Sequence, residues 1–374
     1  MVITDTGTLA RAEAGTARAA LTFPSVVCLS DGTLLASCHA GSAKDSDDAS
    51  VELFRSSDKG RTWTASGRPF ADIEVGGRRG TFKVCYLTEL QQGVLIAGLM
   101  WIDRQTYPGK PLFNGETEGC LPMEIMLAES EDGGHSWSPL RAMQVPREIG
   151  PPSLTNPILE LDDGTLAMSI ETNKHYQDDS KWYQRVVLFH STDRGQTWGD
   201  PITAGQDPSG RSFSWDLRLG VAPDGRIGSF SWTYDSETNE YLNIHRRISS
   251  DGGRTWTAPE DLGFPDQASH PTMLPDGRVV LAWVDRFGSR SIKARLGNSI
   301  DAPFEPGTEV VLYEHETAAA TATDDTGALL EEMSVWSFGL PYSEALPDGD
   351  VLVLYYAGTE DALDVRWARM QIDD

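Results

Sequence analysis

Carboxylates, histidines and indoles gather at the ends of apolar runs in this chain. Asp45, Asp47 and Asp48 crowd the stretch His39-Ala40-Gly41-Ser42-Ala43-Lys44-Asp45-Ser46-Asp47-Asp48. Asp216 and Arg218 stand two residues apart, and Glu171, Lys174 and His175 form another group. Two carboxylates flanking a glycosidic bond make a hydrolase pair, one as acid and the other as nucleophile or base. Histidine exchanges protons near neutral pH, and His39, His175 and His270 come from three separate segments. Three converging histidines also suit a metal, but no local spacing here is that of a metal motif, so neither metal nor cofactor is expected. Trp101 and Trp232 offer flat faces for a sugar ring, and Lys83, Arg104, Asn156, Arg218 and Arg286 offer donors. Trp101-Ile102-Asp103-Arg104 and Trp283-Val284-Asp285-Arg286 repeat W-x-D-R, which also reads as a local Asp–Arg bridge finishing a strand.

The elements that must position these residues repeat along the chain. SSDKGRTW (56–63), SEDGGHSW (130–137), STDRGQTW (191–198) and SSDGGRTW (249–256) share one pattern. Their aspartates, Asp58, Asp132, Asp193 and Asp251, follow at intervals of 74, 61 and 58 residues. Asp accepts backbone N–H bonds across such a turn and Gly supplies a positive φ, so these carboxylates are structural. Asp31-Gly32, Asp163-Gly164, Asp224-Gly225, Asp276-Gly277 and Asp348-Gly349 each separate two apolar β-rich runs, and Gln92-Gly93 takes the same place once more. These are hairpin signals. Each hairpin supplies two strands, the run before the Trp turn a third, and the segment after it a fourth. Six such units predict an all-β chain: one six-bladed β-propeller of four-stranded antiparallel blades over residues 1–374. The N-terminal stretch is expected to complete blade six.

Strand parity then divides the chemistry from the turns. Both turn types fall on one face, because consecutive strands run antiparallel. The long loops, 40–50, 102–121, 172–184 and 300–335, fall on the other, where binding residues concentrate over a rigid scaffold. His39, Lys83, Trp101, Arg104, Asn156, Glu171, Lys174, His175, Asp216, Arg218, Trp232, His270, Arg286 and Tyr342 all map to that second face.

Composition narrows the partners. With 31 basic and 56 acidic residues the net charge is −25, which repels phosphate backbones and anionic lipid. Nucleic acid and membrane are therefore poor partners. Cys28, Cys38, Cys85 and Cys120 have no metal-ligand spacing and make no disulfide framework. Met1 to Phe23 lacks an apolar signal core and no run reaches 18 apolar residues, so the expectation is a cytoplasmic protein.

The four Trp turns resemble Asp-boxes, and the chain resembles the sialidase-like (BNR-repeat) superfamily over essentially its whole length. That resemblance implies a propeller; it leaves the activity open among sialidases, other exo-glycosidases, lyases and binding modules. It also implies roles: an acid/base aspartate among Asp45, Asp47 and Asp48, an activating carboxylate at Asp216, and a tyrosine nucleophile at Tyr342. Tyr342 lies six residues before Asp348, where the family spacing is eight. The family's arginine triad has no match, since Thr22, His270 and Trp232-Thr233-Tyr234 occupy its positions. A bidentate clamp is not replaced by Thr or His, so the resemblance implies a substrate other than sialic acid. The leading expectation is an exo-acting glycoside hydrolase on a small oligosaccharide or glycoside. A polysaccharide lyase is the alternative, with His and Tyr moving the proton and Lys83, Arg104, Arg218 and Arg286 neutralising a uronate. A carbohydrate-binding propeller without turnover is the third reading.

Overall fold

The computed structural model describes the whole chain except Asp72, Gln92, residues 317–324 and residues 373–374. Gln92 of the sixth hairpin turn and the middle of the 300–335 loop thus lie outside the described residues. The chain is all-β, with a short helix at Thr326–Glu332 and two single turns of 3-10 helix. Among the described residues, no helix is long and apolar enough to cross a membrane.

The strands form five sheets. Four of them are antiparallel, with four or five strands each. The fifth has eight strands, ordered Phe338–Ala345, Val351–Thr359, Ala362–Gln371, Ala20–Cys28, Leu34–Gly41, Ser50–Ser56 and Thr64–Gly67, with Val2–Ala10 paired to Ala362–Gln371. Its two halves meet through one parallel pair, Ala20 with Leu363. Val2–Ala10 runs antiparallel to the C-terminal strand from Val2↔Gln371 to Ala10↔Val365. The two ends of the chain are therefore hydrogen-bonded to each other.

The repeated turns are built alike. In each Trp turn the Ser hydroxyl accepts the Gly N–H, at 2.9 Å for Ser56–Gly60, 2.8 Å for Ser130–Gly134, 2.7 Å for Ser191–Gly195 and 2.8 Å for Ser249–Gly253. The Asp takes both the N–H and the hydroxyl of the Thr or Ser four residues on, as Asp193 does with Thr197 at 2.8 and 2.6 Å. These bonds hold Asp193 well below the ordinary carboxylate range, at about 2. Trp63 and Trp256 also return their indole N–H to the Gly carbonyl, at 2.9 and 3.0 Å.

A less regular feature recurs at the opposite ends of the first strands. The ladder slips between Thr22 and Ser25, Phe82 and Val84, Trp215 and Arg218, and Gly339 and Tyr342. Phe23, Asp216 and Leu340 inside these slips have positive φ, at 51°, 47° and 47°. Bulges of this kind bend a strand and re-aim a side chain that simple alternation would place elsewhere.

Candidate active site

The four bulges converge. Phe23, Lys83, Asp216 and Leu340 all line one cavity of about 290 Å³. Strands and loops complete it with Asp45, Glu171, Arg218 and Tyr356, and with an aromatic wall of Trp182, Trp215, Trp232 and Trp336. Leu330 and Met333, on and just after the short helix, cover part of it.

Glu171 and Asp216 lie near each other in the lining. The bulge frees the Leu217 N–H from the ladder, and Glu171 Oε1 accepts it at 3.0 Å. Burial pushes the Glu171 carboxyl up to about 8, and the neighbouring Asp216 charge adds to that rise. Asp216 is instead held by donors: Arg218 Nη2 reaches Oδ1 at 3.2 Å and Gln267 Nε2 donates to Oδ2. Burial thus favours the protonated form of one carboxyl beside a second carboxyl that is anchored by a guanidinium. Paired carboxyls in such unlike surroundings divide into acid and base roles.

The opposite wall carries Asp45. Arg104 Nη2 donates to Oδ1, the Leu112 N–H donates to Oδ2 at 2.8 Å, and Lys83 Nζ lies 3.9 Å away. Burial opposes the charge, but Lys83 and Arg104 outweigh it and Asp45 titrates below its ordinary value. Lys44 reaches across to the roof, donating to Met333 O at 2.6 Å, Trp336 O at 3.0 Å and Tyr356 Oη at 3.1 Å. Burial, with Arg286 and Lys83 nearby, pushes this lysine well below its usual value.

The other residues singled out from the sequence lie around the cavity and not in its lining. Asp47 is exposed, with Arg104 Nε at 3.7 Å, and Asp48 caps its own loop by accepting Ser42 N–H and Oγ–H, each at 3.0 Å. His39 is buried against Phe23, with Nε2 at 3.1 Å from Ala43 O; burial and Lys83 lower it to about 4. His270 is half-buried, lowered to about 3 by desolvation and Arg218, with Nδ1 at 3.3 Å from Asn156 Oδ1. Its ring stacks on Tyr342 at 4.9 Å, and Tyr342 stacks on Tyr86 at 6.1 Å. This column supports the cavity from behind, through Tyr86. Asn156 spends its Oδ1 on the Leu219 N–H at 3.0 Å. Trp101 is buried, with the Arg78 guanidinium 5.5 Å from its ring. Lys174 pairs with Glu118 at 3.6 Å, and His175 is exposed. Neither W-x-D-R aspartate pairs with its own arginine: Asp103 binds Arg78 at 2.7 Å, and Asp285 accepts Ser289 Oγ–H at 2.6 Å. Among the described residues, no group of three or more His, Cys, Asp or Glu is arranged to hold a metal.

Lys44, Tyr86, Trp182, Trp215, Gln267, Trp336 and Tyr356 line the cavity without having been singled out. Trp182 lies in the 172–184 loop, and Trp215 precedes Asp216, so both were within reach of the parity argument. Tyr356 sits deep in a strand and gave no such signal.

Comparison with known proteins agrees with this architecture. Residues 112–292 match the model of the BNR repeat-like domain. A sialidase of Micromonospora viridifaciens is 25% identical over 252 residues, covering 59% of this chain and 36% of that protein. The chain thus spans about a third of that relative's length. A Dyadobacter fermentans protein of unknown function superposes with a TM-score of 0.76 at 20% identity, covering 100% of this chain and 99% of that one. A Penicillium chrysogenum α-L-arabinanase complexed with arabinobiose gives 0.67 at 15% identity, with 99% of each chain covered. Together with the fourfold Trp turn and the all-β fold, these likenesses bear out the resemblance to the sialidase-like, BNR-repeat superfamily.

Proposed function

We propose that the chain is a six-bladed propeller working as an exo-acting glycoside hydrolase on a small oligosaccharide or glycoside. The eight-stranded sheet counts as two blades meeting at the Ala20–Leu363 pair, and Val2–Ala10 joins the last blade to the chain start. A cavity of about 290 Å³ is at the small end of ligand pockets (roughly 300–1,000 Å³), which suits a terminal sugar and not the middle of a chain. The observation that carries the reading is the Glu171–Asp216 pair, one carboxyl buried on the Leu217 N–H and raised above its ordinary value, the other anchored by Arg218 and Gln267.

In this reading Glu171 gives its proton to the departing glycosidic oxygen, and Asp216 acts at the anomeric carbon as nucleophile or as the base for water. Asp45, fixed by Arg104 and Leu112 N–H, orients ring hydroxyls from the facing wall. The tryptophan wall takes the apolar face of the ring. The test is turnover of a panel of aryl glycosides by wild type, Glu171→Gln and Asp216→Asn. Asp216→Asn is expected to lose roughly 100-fold or more in kcat with every leaving group. A wild type that turns over nothing, or an Asp216→Asn variant as fast as wild type, refutes the reading.

A further inference from the structure

The cations at the cavity are already committed to the protein. Arg218 gives Nη1 to Tyr86 Oη at 3.0 Å and to Thr155 O, and Nη2 to Asp216. Arg286 gives Nη1 to Phe338 O at 2.7 Å and Nη2 to Gln267 Oε1 at 2.9 Å, with its plane 3.9 Å from the Trp336 ring. Arg104 is spent on Asp45 and on Thr81 Oγ1 at 2.9 Å. Lys83 donates to Lys44 O at 2.7 Å and faces Asp45 and the Phe23 ring. All three donors of Lys44 have acceptors. The Nε atoms of Arg218 and Arg286 have no partner, but both are closed to solvent and so to any ligand.

We infer that the cavity takes a neutral sugar ring and rejects the carboxylated counterpart of that ring, a specificity that rests on the glycosidase reading above. A sugar carboxylate seeks a forked, unspent donor pair, and bidentate arginine is the usual source. Here Arg218 and Arg286 each turn both terminal nitrogens to protein acceptors, and Arg104 holds Asp45 and the Thr81 hydroxyl. An entering carboxylate would lose its hydration, find no free guanidinium, and lie beside the charges of Asp45 and Asp216. Freeing Arg218 for it would strand Asp216, and freeing Arg286 would release Gln267 and the Phe338 carbonyl. A neutral ring meets no such cost. Its hydroxyls donate to the Asp45, Asp216 and Glu171 oxygens, and its C–H face lies on the indoles. The same accounting removes the uronate-neutralising role expected of Lys83, Arg104, Arg218 and Arg286.

The experiment is calorimetric titration of the wild-type chain with methyl glycosides of neutral hexoses and pentoses, with the matching methyl uronides, and with N-acetylneuraminate. At least one neutral ring is expected to bind, with its uronide more than tenfold weaker, on the order of 100-fold. A uronide or the sialic acid binding within tenfold of the best neutral ring overturns the inference, and so does the failure of every neutral ring to bind. Aryl-glycoside turnover measured alongside separates the two claims. Neutral binding without turnover upholds the specificity and sinks the hydrolase. Turnover of aryl uronides does the reverse.

Discussion

Replacing Glu171 by Gln tests both the electrostatics and the chemistry of the cavity. Glutamine keeps the oxygen that accepts the Leu217 N–H, and its amide can donate toward Asp216, so the change removes a titration and little else. In the fold the Glu171 carboxyl titrates at about 8, against an ordinary value of 4.5. The folded state therefore holds a proton that the unfolded chain has released between those two values. The resulting stability is complete below pH 4.5 and is lost as pH rises through 8. A shift of this size corresponds to a ceiling of ~5 kcal/mol, at 1.36 kcal/mol per pH unit. Relaxation around a buried charge brings such penalties below their ceiling, so we expect ~3 kcal/mol. In urea melts the variant should match wild type near pH 4.5 and exceed its stability at pH 8.5 by about that amount. Asp266 and Glu344, both raised to about 7 by burial, tilt the two proteins alike and cancel in the comparison. Activity gives the second arm. Loss of a general acid costs roughly 10²–10⁴ in rate, and the loss should shrink for leaving groups that depart without protonation, such as dinitrophenol. A stability difference equal at pH 4.5 and 8.5 refutes the buried-acid argument. A rate loss independent of the leaving group refutes the acid role.

Tyr342→Phe keeps the ring between His270 and Tyr86, so kcat is expected within about threefold of wild type. A collapse of activity with an unchanged melting curve would restore Tyr342 as the nucleophile. Asp193→Ala removes the acceptor of the Thr197 N–H and hydroxyl in one Trp turn. Chemical melts should show a lower midpoint with KM and kcat intact, and altered kinetics would contradict the division between turn face and working face. Trp336→Ala strips the ring beneath Arg286 and beside Trp232, at 3.9 and 5.6 Å. It should cost ~3 kcal/mol in stability and raise KM more than it lowers kcat; an unchanged KM would remove Trp336 from the sugar platform.

Local chemistry was legible in the sequence and depth was not. Each Trp turn closes its own hydrogen bonds within eight residues, as Ser191, Asp193, Gly195 and Thr197 do, so the pattern carries its structure wherever it occurs. The Asp-Gly hairpins are equally local: the Gly32 N–H returns to Leu29 O at 2.8 Å, and Asp31 takes the Thr33 N–H at 2.8 Å. Parity alone then separates the turn face from the cavity. It cannot say how far down a strand a side chain sits. Tyr342 lies on its expected strand and His270 just before the short strand Thr272–Met273, yet both sit outside the lining, Tyr342 buried and His270 half-buried. Bulges defeat alternation in a second way. Phe23 and Leu340 would be passed over as strand residues, but an extra residue and a positive φ aim each into the cavity. Lys44 was hidden differently. Its partners, Met333 and Trp336, are 289 and 292 residues away, and no local pattern announces such a bond.

That long-range bond changes what the cations of this site are for. Lys44 receives Lys83 on its carbonyl and sends its ammonium to two carbonyls beyond the short helix, so one residue ties a bulge on one wall to the roof. Arg286 does the same on the other side, bracing Phe338 O and lying on Trp336. Three carbonyls and an indole that would otherwise float above the cavity are pinned by two positive side chains. A clamp on substrate and a brace on the roof draw on the same nitrogens, and a nitrogen bonded to a buried carbonyl cannot serve both without leaving that carbonyl unpaired. The committed nitrogens of Lys44 and Arg286 and the aromatic roof are thus two sides of one arrangement. Turning Arg286 toward a ligand carboxylate would surrender its bond to the Phe338 carbonyl and its seat on the Trp336 ring.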